Sequence, residues 1–311
     1  MNAWKNNQIA SICKLGKKFD DKAVLSNINF CLNQGEVLTI LGPNGAGKTT
    51  LINTLLGRLS LTSGEVSIFG QPPGAMAVKR QTGAMLQVSG LPDMSTIKEH
   101  IRLFQSYYAQ PMAYEQVMAF SGLKNIENQY SKTLSGGQKQ RLLFALAICG
   151  NPSILFLDEP TVGMDITARK SLWAAIETLK AQGTSILLTT HYLEEADYLS
   201  DRIIMLKDGK IIREGSPSEI KSQINSKKIR FNSSVDIATL SALNSVIKVS
   251  KMASSLKENS YYELESNAVE KTMQDIFAKQ MSINDLTIIG AALEDAFELI
   301  NNDNTASKIA N

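Results

Sequence analysis

The sequence predicts an α/β domain layered on a parallel sheet, with an antiparallel β subdomain and a helical subdomain, followed by a small α+β domain of ferredoxin-like order. Three observations carry this. EVLTIL (Glu36 to Leu41), SILFLD (Ser153 to Asp158) and TSILLTT (Thr184 to Thr190) are nearly continuous apolar runs, the pattern of strands buried on both faces of a parallel sheet. Helical patterns alternate with them: SLWAAIETLKAQG places Leu172, Ile176 and Leu179 on one face and stops at Gly183. Such alternation builds an α/β layer. The texture of the chain then changes after about residue 222.

From the N-terminus, IASICKL and AVLSNINFCL read as antiparallel strands ahead of the first buried strand, and GEVSIFG (Gly64 to Gly70) as a third. Thr96 to about Tyr130 has no strand signal and reads as helical, which sets a helical subdomain at about 90–150. RIIMLKDGKIIREG reads as a hairpin turning at Asp208 and Gly209. The first domain is thus expected to span 1–222. Beyond it, IRFNS, SVIKVS, YYELES and DLTII read as strands. VDIATLSAL, VEKTMQDIFAKQ and a final AALEDAFELI read as helices. The order β-α-β-β-α-β-α is that of a split βαβ unit plus a helix, an accessory domain over 223–303. Residues 304–311 are expected to be disordered.

With 311 residues and 43% apolar side chains, the chain has material for a sizeable core. A net charge of +2 and a pI of 8.3 are too mild to argue for a nucleic-acid surface. Cys13, Cys31 and Cys149 are widely spaced with no CxxC pair, which argues against a disulfide framework or a zinc cluster and for buried, reduced thiols in a cytosolic protein. The N-terminus lacks a signal-like apolar stretch, and the longest apolar runs fall far below the roughly 18 residues of a membrane span. A soluble chain is expected, whose membrane role is borrowed from a partner.

The chemistry is concentrated in four motifs. GPNGAGKT at Gly42 to Thr49 fits G-x-x-x-x-G-K-[ST], after a buried strand and before the helical TTLINTLLGR. Its glycines let backbone N–H groups turn toward phosphate, and the helix N-terminus adds a favourable dipole. Lys48 reaches the β- and γ-phosphates, and the Thr49 hydroxyl can ligate Mg²⁺. ILFLDEP supplies Asp158, to hold Mg²⁺ through water, and Glu159, as general base or water-orienting group. TSILLTTH brings His191 to the same carboxyl edge of the sheet, within reach of γ-phosphate and water. The other histidine, His100 in STIKEHIRLF, reads as structural. TLSGGQKQRLLFALAICG, from Thr133 to Gly150, looks like a second phosphate cradle with no lysine. It also reads as a helix start, with Ser135 as cap and Gly136 and Gly137 giving a tight approach.

A phosphate loop alone is shared by kinases, GTPases and helicases. GPNGAGKTT, LSGGQKQR, LFLDEP and TTH together, in this order and spacing, resemble the ATP-binding-cassette ATPases over about Ile9 to Gly215. The resemblance implies a nucleotide cradle of Gly42, Pro43, Asn44, Gly45, Ala46, Gly47, Lys48, Thr49 and Thr50. It implies that Phe19 stacks on adenine, where tyrosine is more frequent, and that Val24 flanks the base. Gln87 matches the glutamine that meets Mg²⁺ and water and relays to a partner. Ser135, Gly136, Gly137 and Gln138 match the segment that covers the γ-phosphate of a second cassette. Asp165 matches the loop that crosses to the other subunit, although Val-Gly-Met-Asp replaces the more familiar Ser-Ala-Leu-Asp.

The resemblance further implies two cassettes, expected as a homodimer, closing head to tail around two ATP. Motion then passes to a separate membrane permease through the surface near Gln87, including VSGLPDMST. DEPTVGMD, LLTTHYLEEAD and the tail LEDAFELI look closest to ATPase subunits of bacterial drug- and antibiotic-resistance exporters of the daunorubicin-resistance type. These imply a peripheral protein on the cytoplasmic face of the inner membrane, with no nucleic-acid partner. Soluble cassette proteins of DNA repair, chromosome organisation or translation share the fold. The chain has no long heptad insert, no zinc-like cysteine sets and one cassette rather than two in tandem. A binding module that has lost hydrolysis is disfavoured by intact Lys48, Asp158, Glu159 and His191.

Overall fold

The computed structural model describes residues 7–87, 90–222, 226–252 and 260–290, together with Leu293, Glu294 and Phe297. The chain divides into two compact units, Met1–Pro217 and Ser218–Asn311. The expected domain change at 222 lies a few residues beyond that division.

The first unit opens with two long strands, β1 (Gln8–Phe19) and β2 (Lys22–Asn33), paired antiparallel. β3 (Val37–Leu41) follows, then α1 (Lys48–Leu55) and β4 (Ser63–Ile68), which pairs with the other side of β1. The resulting three-stranded sheet, ordered β2-β1-β4, is the antiparallel subdomain. A short helix, α2 (Met76–Lys79), leads to β5 (Thr82–Met85). The helical stretch comprises α3 (Ile97–Gln105), α4 (Tyr114–Ser121) and α5 (Gly136–Ile148). Strand and helix then alternate through β6 (Ile154–Asp158), α6 (Ile166–Ala181), β7 (Ser185–Thr190) and α7 (Leu193–Leu199). β8 (Arg202–Lys207) and β9 (Lys210–Gly215) form a hairpin whose turn residues, Asp208 and Gly209, lie at φ 48° and 70°, as a two-residue turn of this kind requires.

The second sheet of this unit has six strands in the order β5-β6-β7-β3-β8-β9, all parallel except β9. Every residue of β3, β6 and β7 is buried, which is why these runs are apolar throughout. Successive side chains go to opposite faces. Leu155 and Leu157 of β6 join a core with α3, α4, α5 and α6, whereas Ile154 and Phe156 join one with α1 and the three-stranded sheet. Because β6, β7 and β3 are neighbours, with Asp158 opposite Thr189 and Leu41 opposite Thr190, the segments leaving all three emerge at one edge.

α3 begins at a capping box: Glu99 N donates to Thr96 Oγ1 at 3.2 Å and Thr96 N donates to Glu99 Oε2 at 2.7 Å. His100 is 2% exposed, with Nε2 3.3 Å from the Pro92 carbonyl, and burial pushes its pKa down. The three cysteines are unpaired, but they are not uniformly buried. Cys149 is buried and its thiol is pushed up to about 12 by desolvation. Cys13 is exposed, which corrects the expectation of buried thiols: Ile12 takes the inward position on β1, and strand alternation turns its neighbour out.

α8 (Pro217–Ser222) straddles the division between the units. The second unit runs β10 (Lys227–Ser233), α9 (Ile237–Ser241), β11 (Val246–Met252), β12 (Ser260–Ser266), α10 (Val269–Ala278) and β13 (Ile283–Ile289). Its four strands are antiparallel in the order β11-β12-β10-β13. Alternate residues Ile229, Phe231, Tyr262 and Leu264 meet Leu240 of α9 and Ile276 of α10 in a separate core. Most of the expected final helix, and 304–311, lie outside the described residues.

Candidate functional site

Between β3 and α1 the chain turns through Gly42 to Gly47. Glycine is obligatory at two of these positions. A Cβ on Gly42 would sit 2.3 Å from the Leu206 carbonyl oxygen. Gly47 lies at φ 106°, and a Cβ there would sit 2.8 Å from Leu25 Cδ2. The β8–β9 hairpin pins the loop: Gly209 N donates to Ala46 O at 3.1 Å, and Ser26 N of β2 donates to Gly209 O at 2.8 Å. The loop is thus held by the fold on both sides, with the N-terminal turn of α1 beneath it.

Lys48, the first residue of α1, is only 6% exposed. Its Nζ donates to Gly42 O at 2.6 Å and lies 3.2 Å from Glu159 Oε1. The other Glu159 oxygen, Oε2, lies 2.7 Å from His191 Nδ1. Lysine, glutamate and histidine therefore form one continuous line, delivered by β3, β6 and β7 respectively. Glu159 is buried and sits at φ 53°, a left-handed conformation that a non-glycine residue holds only when its surroundings enforce it. Thr189 on β7 supplies part of that enforcement. Glu159 N donates to both Thr189 O (3.1 Å) and Thr189 Oγ1 (3.2 Å). The same hydroxyl donates to Asp158 Oδ1 at 2.5 Å. Asp158 Oδ2 is buried and has no hydrogen-bond partner among the described residues.

A cavity of about 390 Å³ opens over this line, walled by Val24, Asn44, Gly45, Lys48, Gln87 and Glu159 with Pro43, Gly47, Thr49 and Thr50. It is walled chiefly by polar groups, backbone turn and one buried cation, which suits a phosphate chain. The unsatisfied Asp158 oxygen and the Thr49 hydroxyl and Gln87 amide of the wall are hard oxygen donors of the kind a small divalent cation takes while keeping most of its water. Among the described residues no group of three or more His, Cys, Asp or Glu could hold a metal alone, so any ion here would lean on water and phosphate oxygens.

Not every residue singled out in the sequence is gathered at this cavity. Phe19 ends β1 and is 43% exposed, with Lys17 Nζ 4.9 Å from its ring centre, and it is not part of the wall. Ser135, Gly136, Gly137 and Gln138 open α5 and are likewise absent from it. There Gln138 N donates to Ser135 Oγ at 3.3 Å, and Ser135 N donates to Gln138 Oε1 at 2.8 Å. The Ser135 hydroxyl accepts in this capping box and keeps its own proton to donate outward. Asp165 caps α6, accepting from Ala168 N at 2.8 Å. Thr189 is the site residue that sequence reading missed. Its signal is the pair of threonines before His191, on a strand otherwise apolar.

A family model described as ABC transporter matches residues 25–162. Nod factor export ATP-binding protein I of Burkholderia lata is 37% identical over 216 residues, covering 67% of this chain and 71% of that relative. Its counterpart in Rhizobium etli is 35% identical over 217 residues, covering 68% and 69%. Among solved structures, an ATP-binding subunit of an ABC transporter superposes with a TM-score of 0.63 at 26% identity, over 69% of this chain and 92% of the other. A dimeric ATP-binding cassette in a post-hydrolysis state, bound to ADP and Pi, superposes with a TM-score of 0.60 at 26% identity, over 67% and 98%.

Proposed function

The chain belongs to the ATP-binding proteins of ABC transporters, and from that premise we propose that two copies close around two ATP to drive a separate membrane permease in export. The observation that carries the chemistry is the Lys48–Glu159–His191 line, of which Lys48 and Glu159 face the cavity. Here Lys48 neutralises Glu159 Oε1 while His191 holds Oε2. A γ-phosphate entering the loop competes for the Lys48 ammonium. As Lys48 turns to the phosphate, Oε1 is released as a free acceptor, while Oε2 stays on His191. The freed oxygen then orients water and takes its proton. The residues that would hold Mg²⁺ are Thr49, Gln87 and Asp158, and the ion supplies neutralisation of phosphate charge.

Val24 lies in the wall near the loop, and Phe19, at the exposed end of β1, offers a ring face for the adenine. Ser135, Gly136, Gly137, Gln138 and Asp165 are assigned to the partner-facing side, covering the γ-phosphate held by the second cassette. Export is supported by the relatives named for Nod factor export. A drug or antibiotic cargo rests on the wording of DEPTVGMD, LLTTHYLEEAD and the tail LEDAFELI. No helix among the described residues is long and apolar enough to cross a membrane, in keeping with a peripheral subunit on the inner face that works through a permease. The segment assigned to the permease, VSGLPDMST, includes Val88 and Ser89, which lie outside the described residues.

Glu159→Gln is expected to lower ATP hydrolysis by about 100-fold or more while ATP is still bound. Hydrolysis at the parental rate would remove Glu159 as base. Specific activity is expected to fall on dilution as the two cassettes separate. Co-expression with the membrane protein encoded beside it should yield a complex that survives purification in detergent; persistent failure to co-purify sinks the exporter reading.

A further inference from the structure

Glu195 on α7 is fully buried, yet it is a carboxyl group with no basic partner among the described residues. Its Oε1 accepts from Trp173 Nε1 of α6 at 3.0 Å. Its Oε2 is buried without a hydrogen-bond partner among the described residues, and so is Thr161 Oγ1. Thr161 follows Glu159 and Pro160 in the turn that leaves β6. Its hydroxyl lies close enough to act on the Glu195 carboxyl, as does that of Thr190 at the end of β7. A carboxylate buried this deeply without a cation beside it is costly, and protonation removes that cost while giving the unpartnered oxygen a proton to donate. Trp173 already donates to Oε1, so the proton belongs on Oε2.

We propose that Glu195 is a positioning residue for Glu159: protonated at Oε2, it donates to Thr161 Oγ1 and fastens the Glu159–Pro160–Thr161 turn to α6 and α7. Glu159 needs such a fastening because of its left-handed backbone. Thr189 secures it from β7, and Thr161 is the next side chain along the turn able to secure it from the other side. α7 begins two residues beyond His191, so the same link keeps Glu159 and His191 in one frame and preserves their 2.7 Å contact. Trp173 also stacks on Tyr198 with ring centres 5.1 Å apart, which ties α6 and α7 into a rigid support.

Burial favours the neutral acid most, and the Glu159 charge adds to it, while the Thr190, Trp173 and Thr161 groups pull the other way. The charged groups around Glu195 are Glu159, backed by Lys48 and His191, Glu194 and Asp197 on its own helix, and Arg169 on α6, whose guanidinium lies 3.8 Å from Glu194. Raising the pH through the elevated Glu195 pKa removes the donated proton and places a second negative charge beside Glu159. Turnover should then decline on the alkaline side.

The proposal rests on Glu159 as the water-orienting group, and the test separates the two. Full-length protein carrying Glu195→Gln, Glu195→Leu, Thr161→Val or Glu159→Gln is assayed for kcat, KM for ATP, nucleotide binding and Tm across pH. Glu195→Gln keeps a donor and is expected to hold kcat within about 2-fold of the parent while losing the alkaline decline. Glu195→Leu is expected to lower kcat about 10- to 100-fold with KM changed less than about 3-fold, because the glycine loop and Lys48 that face the phosphates keep their places. Thr161→Val gives the same pattern and serves where Glu195→Leu does not fold. Glu195→Gln as impaired as Glu195→Leu, an alkaline decline that persists in Glu195→Gln, or unchanged kcat in both Glu195→Leu and Thr161→Val each overturns the Glu195 assignment. Full hydrolysis by Glu159→Gln overturns the base instead.

Discussion

Two glycine-bearing segments open helices in this chain, Gly42 to Gly47 before α1 and Ser135 to Gly137 before and within α5, and their glycines answer to different constraints. In the first, a Cβ would collide with the Leu206 backbone or the Leu25 side chain. In the second, a Cβ on Gly136 meets nothing within 4 Å, and one on Gly137 comes no closer than 3.7 Å to Gly163 O. The fold demands glycine at the first segment and has no internal use for it at the second. Alanine would even favour α5, though by less than the roughly 1 kcal/mol it gains in a helix interior, since both glycines lie in the first turn. A glycine that its own chain does not require is explained by close approach from outside, and a γ-phosphate held on another cassette's Lys48 is the proposed visitor. On the proposed function, the comparison separates a site that holds phosphate alone from one that works only in company.

The sharpest way to break this contrast is to place alanine at both sites. Gly42→Ala is expected to cost about 2 kcal/mol or more, because the obstruction is backbone rather than a flexible side chain, and thermal unfolding reads it directly. Gly136→Ala is expected to leave stability within about 0.5 kcal/mol of the parent, while ATP hydrolysis falls roughly 10- to 100-fold. A Gly136→Ala protein with parental turnover leaves nothing outside the chain to account for the glycine. A smaller effect is expected from Ser135→Ala, which removes both cap and outward donor: about 1 kcal/mol in stability, with turnover reduced around 10-fold. Ser135→Thr, which keeps the hydroxyl, should recover most of both. The smallest change belongs to Phe19→Ala, expected to raise KM for ATP roughly 3- to 10-fold, with Phe19→Tyr near the parent.

What could be read ahead of the structure follows a physical line. Strands buried on both faces announce themselves, because nothing polar is tolerated in them: β3, β6 and β7 were visible as EVLTIL, SILFLD and TSILLTT. The hairpin at Asp208 and Gly209 was visible because its turn needs positive φ twice. The order β5-β6-β7-β3-β8-β9 was not, since spatial neighbours in a parallel sheet leave no local mark on either strand. Thr189 escaped for the same reason. Its partners Asp158 and Glu159 lie some thirty residues away and meet it only through the β6–β7 register. Cys13 was misread because residue type alone does not tell which face of β1 is turned inward. Nor does anything in LDEP announce that the glutamate is left-handed, since that conformation is imposed by neighbours rather than preferred.

Thr189 offers one hydroxyl to two acids, giving its proton to Asp158 and receiving one from the Glu159 amide. The side chain of one acid and the backbone of the other thus share an anchor. A substitution here therefore cannot retune the affinity of one carboxylate while sparing the geometry of the other. Loss of this one hydroxyl would loosen both acids at once.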